Sequence, residues 1–224
     1  MITQAHILGK DDSILVECQN GFQLLPEVCE AFKQMQAAAS EDDVDIRIVS
    51  SYRSFERQLQ IWQNKWSGKA TLLDVNEKAL DASTLSDQEK LIAILTWTAL
   101  PGASRHHWGT DLDVYDKKSI EQSQHDFKLV CSEYDEGPCA LLSNWLNKNA
   151  RKFGFTRPYS EYKGGIAREP WHLSFQSSAD EMSAVQDEHM LLAHLKKTDI
   201  FGLDTILSNM DNLYQRFILN RGLI

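Results

Sequence analysis

Two short segments of the chain combine the alternation of a β-strand with residues that bind metal ions. Residues 111–115 (DLDVY) place polar side chains at every second position, with Leu and Val between them. In residues 169–175 (EPWHLSF), His172 and Ser174 share one face of an extended segment, because successive side chains of a strand point to opposite sides. Alternation of this kind is typical of strands that pack on a core. The chain is therefore expected to form a sheet that carries carboxylate and imidazole groups.

The remaining periodicity predicts a third strand and several helices. Residues 46–52 (IRIVSSY) alternate and are rich in β-branched side chains, which indicates a strand that ends at Ser51–Arg53. Ser54 is suited to cap a helix that runs through Trp66. Residues 69–87 are expected to be irregular. Apolar spacing predicts further helices over residues 22–39, 87–100, 138–152 and from about 187 to the end.

The composition is that of a globular protein. The 224 residues are 42% hydrophobic and 25% charged, which allows a domain with a buried core. The formal net charge of −9 repels phosphate backbones, so no nucleic acid is expected as a partner. The apolar stretch over residues 91–100 is shorter than the roughly 20 residues that a membrane-spanning helix needs. No membrane span is therefore expected.

The N-terminal segment and the cysteines bear on the compartment. Residues 1–17 lack the basic, apolar and small-residue regions of a secretory signal, so a cytoplasmic location is expected. A periplasmic or cell-wall location is the alternative, if another export route exists or the start is truncated. The cysteines lack zinc-finger spacing and are expected to be free thiols, the alternative being a disulfide between Cys131 and Cys139. The four are Cys18, Cys29, Cys131 and Cys139.

Three residues on the two strand segments and the turn before them form a candidate metal site. His106 and Asp113 flank a glycine turn, and His172 lies on the second strand. Two imidazoles and one carboxylate suit Zn²⁺ and leave one coordination position for water. Glu169 is placed to move the proton of that water. Arg53, at the end of a strand, is a candidate to stabilise an oxyanion.

His107 offers a rival to one of these ligands. It lies four residues before Asp111 and could form a second histidine–carboxylate pair. The spacing from Ser104 favours His106 as the ligand.

Four segments together resemble a known family of zinc peptidases. The resemblance lies in Ser104-x-His106-x-x-Gly109-x-Asp111-x-Asp113, in Glu169-x-Trp171-His172, in Ser51-Tyr52-Arg53-Ser54 followed by Gln58, and in NWLNKNARKFGFTRPY. The segments are similar, in kind and order, to those of the D-alanyl-D-alanine carboxypeptidase family of VanY/VanX type. They span roughly residues 46–175. That family shares its metal site with lysostaphin-type enzymes and with the hedgehog signalling domain.

The resemblance implies a role for each matching residue of the metal site. His106, Asp113 and His172 become the zinc ligands. Glu169 becomes the general base and acid, and Arg53 becomes the residue that binds the scissile carbonyl and its oxyanion.

The resemblance also suggests three residues that contact the substrate. Ser104 is expected to line the site, and Gln58 belongs to the matching segment after Arg53. Asp111 departs from the family, many of whose members have a small residue there. Its carboxylate is expected either to contact the substrate or to bond to a metal ligand.

The implied reaction is removal of a terminal D-alanine from a muropeptide or another peptide that ends in D-Ala-D-Ala. One alternative is an endopeptidase that cuts within cell-wall peptides. Another is a non-catalytic, zinc-containing binding module, as in the hedgehog domain. The presence of both Glu169 and Arg53 favours an enzyme, because a binding module needs neither. The sequence leaves the oligomeric state open.

The expected fold is α+β, with a small antiparallel sheet that carries the zinc site and is packed with helices. Residues 1–186 are expected to form the peptidase domain, with its core motifs in 46–175, and residues 187–224 a C-terminal helical segment. The apolar stripe of that segment is expected to dock on the same chain, the alternative being contact with another subunit.

Overall fold

The computed structural model of the protein describes residues 1–124 and 126–223. The strands are β1 (Val16–Gln19), β2 (Phe22–Leu24), β3 (Ile46–Ser50), β4 (Leu72–Leu73), β5 (Ala79–Leu80), β6 (Asp111–Asp116), β7 (Phe155–Thr156) and β8 (His172–Phe175). The α-helices are α1 (Gln4–Ile7), α2 (Pro26–Glu41), α3 (Phe55–Trp66), α4 (Asp87–Trp97), α5 (Lys117–Ser123), α6 (Cys131–Asp135), α7 (Ala140–Asn149), α8 (Gln176–Val185), α9 (Glu188–Leu195), α10 (Leu203–Ser208) and α11 (Met210–Leu213). This mixture of helices and small antiparallel sheets confirms the α+β prediction.

The main sheet has four strands in the order β3-β6-β8-β7, all antiparallel to their neighbours. The strands predicted over residues 46–52, 111–115 and 169–175 are its first three members. Strand β6 lies in the middle of the sheet, and its Leu112 and Val114 are fully buried. The alternation in the sequence reflects this position, because the apolar side chains of β6 fill the core on one side of the sheet.

Helix α3 begins where the sequence predicts. The side chain of Ser54 accepts a hydrogen bond from the backbone N–H of Arg57, which satisfies one of the free donors of the first turn. Helix α4 begins with a capping box, in which Ser86 and Glu89 bond to each other's backbone N–H groups.

Segments near residues 22, 72 and 150 differ from the sequence prediction. The helix expected from residue 22 begins at Pro26, because residues 22–24 pair with β1 and proline is favoured at the first helical position. Residues 72–80, expected to be irregular, form the hairpin β4–β5. The helix expected over 138–152 ends at Asn149 and continues as a 3-10 turn to Phe153.

The cysteine prediction was wrong for one pair. Cys18 on β1 and Cys29 on α2 form a disulfide with a Cα–Cα distance of 5.4 Å, because the β1–β2 hairpin returns the chain to the side of α2. Cys131 and Cys139 are free thiols, as expected. No helix in the described part of the chain has the length and apolar character needed to cross a bilayer.

The C-terminal helices pack on the rest of the chain. Leu191 and Leu195 on α9 and Ile206 on α10 are fully buried. The indole Nε1 of Trp62 on α3 donates a hydrogen bond to the carbonyl of Phe201 at 3.0 Å. These contacts agree with docking on the same chain, while the boundary near residue 187 stays a prediction. The segment is broken into short helices, whereas the sequence suggested continuous helical character.

We expect Leu191→Ala to destabilise the protein. The Leu191 side chain packs against the turn at Gly102. A Cβ atom added to Gly102 would lie 3.0 Å from Cδ1 of Leu191. Truncating a fully buried leucine costs about 2–5 kcal/mol, which thermal and urea unfolding would detect. The control is Leu141→Ala, since Leu141 is 54% exposed on α7. Equal melting temperatures for the two variants would show that the C-terminal segment does not support the core.

Candidate metal centre and active-site cleft

The first candidate ligand, His106, lies on a 3-10 turn that leads into β6. This turn spans Arg105–Trp108 and ends at Gly109 with φ 69°, a conformation that favours glycine. A Cβ at Gly109 would also lie 2.4 Å from Cδ2 of Leu15. The glycine therefore allows the sharp change of direction that joins the histidine to the strand.

The other two candidate ligands face each other across β6 and β8. The strand register places Asp113 directly opposite His172. Nε2 of His106 lies 3.4 Å from Oδ2 of Asp113, and Nδ1 of His172 lies 3.1 Å from Oδ1 of Asp113. All three residues are buried, and one ligand atom from each lies within 4.8 Å of the others.

The hydrogen bonds of these three residues fit a zinc ion. Nδ1 of His106 donates to the carbonyl of Ser51 at 2.8 Å, which leaves its Nε2 directed at Asp113. Nε2 of His172 bonds to Asp111 at 2.8 Å, which leaves its Nδ1 free. Among the described residues, Nδ1 of His172 and Oδ1 of Asp113 have no hydrogen-bond partner although both are buried. Two imidazoles held through their other nitrogens and one carboxylate form the donor set of a zinc site with an open position.

Asp111 lies behind His172 and is fully buried. Its carboxylate accepts hydrogen bonds from His172, from Nε of Arg105 at 2.8 Å, from Thr110 at 2.5 Å and from Ser174 at 3.2 Å. Burial alone would raise the pKa of Asp111, but the Arg105 charge and these bonds outweigh it and hold the pKa well below its usual range. This position does not favour the substrate contact that the sequence suggested, and it agrees with the alternative of a bond to a metal ligand.

The electrostatic field at His172 favours positive charge. Burial lowers the pKa of His172, but its hydrogen bond to Asp111 and the adjacent carboxylates of Asp113 and Asp111 outweigh this and raise the pKa to about 10. A group of negative side chains that stabilises a protonated imidazole would stabilise a divalent cation in the same way.

The carboxylate of Glu169 lies beside the candidate metal ligands. Its Oε2 lies 3.5 Å from Nδ1 of His172, and its side chain is 13% exposed. The backbone N–H of Glu169 donates to the carbonyl of Tyr159 at 2.9 Å, which fixes the chain just before β8. Burial raises the pKa of Glu169 to about 8, and the charge of Asp113 adds to this effect while His172 and Arg53 oppose it. The carboxyl group is thus adjacent to the ligands and able to hold a proton near neutral pH.

Arg53 lies near the candidate ligands and Glu169, and neutral side chains hold its guanidinium in place. Its guanidinium donates to Oε1 of Gln58 at 2.8 Å and to the hydroxyl of Ser50 at 3.2 Å. Gln58 is fully buried, and its amide donates to the carbonyl of Ala99 at 2.7 Å. Gln58 therefore lies behind Arg53 and fixes its direction, a position that does not favour the substrate contact expected from the sequence.

His107 has both ring nitrogens engaged by backbone groups. Its Nδ1 donates to the carbonyl of Arg53 at 2.6 Å, and its Nε2 accepts from the N–H of Gly102 at 3.0 Å. Burial lowers the pKa of His107 to about 3, so the ring stays neutral. This geometry leaves no nitrogen of His107 for a metal ion.

The candidate ligands open into a cleft of about 270 Å³. Ser104, Glu169, Arg53 and Tyr159 line it beside the ligands. Much of the remaining wall is apolar. The indole of Trp97 stacks on that of Trp171, with ring centroids 6.4 Å apart. The apolar side chains of the wall are Leu73, Leu95, Trp97, Leu129, Ile166 and Trp171.

Sequence reasoning missed part of this lining. Arg105 lies inside the motif between Ser104 and His106, so its position was a usable signal. Leu73 and Leu129 lie in segments with no periodic pattern, and nothing local in the sequence connects them to the site.

Comparison with known protein families assigns the chain to a class of carboxypeptidases. The chain matches the model of the VanY family of D-alanyl-D-alanine carboxypeptidases over residues 21–178. It belongs to this family, as the sequence motifs predicted.

Individual proteins are also similar to this chain. An uncharacterized protein of Haemophilus influenzae is 30% identical over 127 residues, which are 55% of this chain and 96% of that protein. The bifunctional D-Ala-D-Ala dipeptidase and D-Ala-D-Ala carboxypeptidase VanXYC of Enterococcus gallinarum is 28% identical over 68% of this chain and 66% of its own length. The chain thus spans about two thirds of that enzyme.

A solved structure has the same fold. It is the vancomycin resistance D,D-pentapeptidase VanY, a mutant from a VanB-type resistance cassette in complex with Zn(II). It superposes with a TM-score of 0.52 at 24% sequence identity and covers 79% of this chain and 88% of its own.

Proposed function

We propose that the protein is a zinc-dependent D-alanyl-D-alanine carboxypeptidase that acts on peptidoglycan peptides. One observation carries the proposal: the ligand atoms of His106, Asp113 and His172 and the carboxylate of Glu169 converge at one end of a cleft. The zinc ion in the VanY structure and the D-Ala-D-Ala activities in the name of the enterococcal relative support it. A peptidoglycan substrate outside the cytoplasm also agrees with the disulfide Cys18–Cys29, because disulfides persist mainly in oxidising compartments.

The side chains divide the work of hydrolysis. His106, Asp113 and His172 would hold the zinc ion, which when bound polarises the scissile carbonyl and lowers the pKa of a water. Glu169 accepts the proton of the attacking water and later gives it to the leaving amine. Arg53 lies beside the same point and neutralises charge that develops on the carbonyl oxygen.

The walls of the cleft favour a carboxypeptidase over an endopeptidase. The backbone N–H of Cys131 donates to Glu77, at the tip of the β4–β5 hairpin, at 2.8 Å. The indole of Trp97 donates to the carbonyl of Asp74 in the same hairpin at 2.9 Å. These bonds hold together the segments that contribute Leu73, Trp97 and Leu129 to the cleft. A fixed wall on this side would suit the end of a peptide better than a long chain that passes through.

Digestion of defined peptides tests the proposal. The zinc-loaded protein should release D-alanine from a peptide that ends in D-Ala-D-Ala, as measured by mass spectrometry. The same peptide with a terminal L-alanine and a chelator-treated sample serve as controls. An internal cut would replace the proposal with an endopeptidase. Binding without any cut would replace it with a binding module.

Asp111 is proposed to position His172 for the metal. We expect Asp111→Ala to weaken zinc binding about 10–100-fold, the usual effect of removing the hydrogen-bond partner of a metal-ligating histidine. Asp111→Asn should weaken it less, because an amide oxygen still accepts the bond from Nε2. Competition with a chromophoric chelator measures the affinity, and circular dichroism checks the fold.

Thr110→Val is the matched control for Asp111. It removes one hydrogen bond to Asp111 but leaves the bond between Asp111 and His172 in place. Its zinc affinity should remain near that of the wild type. If Asp111→Ala binds zinc as tightly as Thr110→Val, the positioning role is incorrect.

A further inference from the structure

The cleft extends well beyond the candidate metal ligands. Helix α3 begins at Phe55, two residues after Arg53, and Lys65 lies in its last turn. At 1.5 Å per residue, the ten residues from Phe55 to Lys65 place the two Cα atoms about 15 Å apart along the helix. Lys65 and Arg53 both line the cleft. The cleft therefore has one end at the ligands and another near Lys65.

Three cationic side chains line the cleft, and their surroundings differ. Arg105 forms an ion pair with Asp111 at 2.8 Å. Arg53 feels the negative charges of Asp113 and Glu169. Lys65 forms no ion pair with any carboxylate in residues 1–124 or 126–223. Of the three cationic side chains, Lys65 is therefore the one whose positive charge has no carboxylate partner among the described residues.

The ammonium group of Lys65 has unused donors. Its Nζ donates to the carbonyl of Thr71 at 3.2 Å, and an ammonium has three N–H groups. The side chain is partly buried, and burial lowers the pKa of Lys65. A partly desolvated cation gains free energy when an anion binds beside it.

The distance limits which substrate group can reach Lys65. A terminal carboxylate lies only one residue, about 3.8 Å between Cα atoms, beyond the scissile bond. The backbone N–H of Arg53 donates to the carbonyl of His106 at 3.1 Å, so the first turn of α3 lies near this ligand and the Cα atom of Lys65 about 15 Å further along the helix. From this spacing we infer that a terminal carboxylate does not reach the ammonium group of Lys65. An extended peptide advances about 3.3–3.6 Å per residue, so the matching group lies two or three residues from the scissile bond. In a carboxypeptidase only the acyl side of the substrate has residues at that distance.

We propose that Lys65 forms a subsite for a carboxylate carried two or three residues on the acyl side of the scissile bond, so that the preferred substrate is an anionic peptide. The inference rests on the proposed carboxypeptidase function and specifies its substrate. The apolar wall between Lys65 and the ligands accommodates the intervening part of the peptide.

The test compares matched peptides on two variants. Two pairs of peptides that end in D-Ala-D-Ala are compared. Within each pair, one peptide carries glutamate and the other glutamine at the same position. That position is two residues before the scissile bond in the first pair and three residues before it in the second. We expect the wild type to show a KM about tenfold lower for the glutamate peptide of one pair, the effect of one charge-assisted hydrogen bond. Lys65→Met, which keeps the length of the side chain, should lose this preference and retain kcat. Lys69→Met is the control, since Lys69 is exposed.

The outcomes separate this inference from the proposed function. A wild type that cleaves glutamate and glutamine peptides with equal KM overturns the Lys65 subsite and leaves the carboxypeptidase in place. A preference that survives in Lys65→Met overturns it as well. If the wild type cleaves neither peptide, the carboxypeptidase proposal fails, and calorimetry of the same peptides then tests the subsite. If the wild type and Lys69→Met bind the glutamate peptide more tightly than the glutamine peptide and Lys65→Met does not, the Lys65 subsite is supported. If the wild type binds both peptides equally, the subsite is overturned.

Discussion

Glu169→Gln is expected to remove nearly all hydrolysis while leaving zinc binding and the fold intact. Glutamine keeps the shape of the side chain but cannot accept the proton of the attacking water. Loss of a general acid–base group typically lowers the rate about 10²–10⁴-fold. Glu169 lies 3.5 Å from Nδ1 of His172, so its carboxylate can accept a proton from a water beside the three candidate ligands. The measurement is kcat for a D-Ala-D-Ala-terminated peptide, with zinc content determined on the same sample.

Glu161→Gln is the control for this substitution. The Glu161 side chain is 70% exposed and pairs with Lys163 at the surface, so its loss should leave kcat unchanged. Turnover by Glu169→Gln at the wild-type rate would show that another group moves the proton. A loss of zinc in Glu169→Gln would instead make Glu169 a ligand and contradict the roles proposed here.

His172→Ala is expected to abolish zinc binding. The substitution removes one of three ligands and also leaves the buried carboxylates of Asp111 and Asp113 without their shared partner. The loss of affinity should exceed the roughly 10–100-fold that follows removal of an outer hydrogen-bond partner. A metal that binds only the folded state raises the melting temperature. Zinc should therefore stabilise the wild type and have no such effect on His172→Ala.

His189→Ala is the matched control, because His189 is exposed on α9. It should bind one zinc ion per chain, as the wild type is expected to. Full zinc occupancy in purified His172→Ala would contradict the assignment of the three ligands. Metal analysis of both variants, purified in parallel, is sufficient to decide.

Local patterns in the sequence are sufficient to predict the elements that carry the candidate site. The alternation in residues 46–52 and 111–115 predicted two strands of the main sheet, since successive side chains of a strand point to opposite faces. Ser54 marked the start of α3, because its hydroxyl satisfies a free backbone donor locally. The spacing of Ser104, His106 and Asp113 carried the family resemblance. All these signals act over a few residues, and for that reason they can be read from the chain.

The tertiary structure alone decided what surrounds the site. Asp111 and His172 are 61 residues apart in the chain and bond at 2.8 Å, and only the pairing of β6 with β8 brings them together. The same holds for the disulfide between Cys18 and Cys29 and for Gln58, which turned out to lie behind Arg53. Lys65, in the last turn of α3, lines the same cleft as residues of α4 and β8. Such contacts depend on how separate elements pack, and no local pattern records packing between residues distant in sequence.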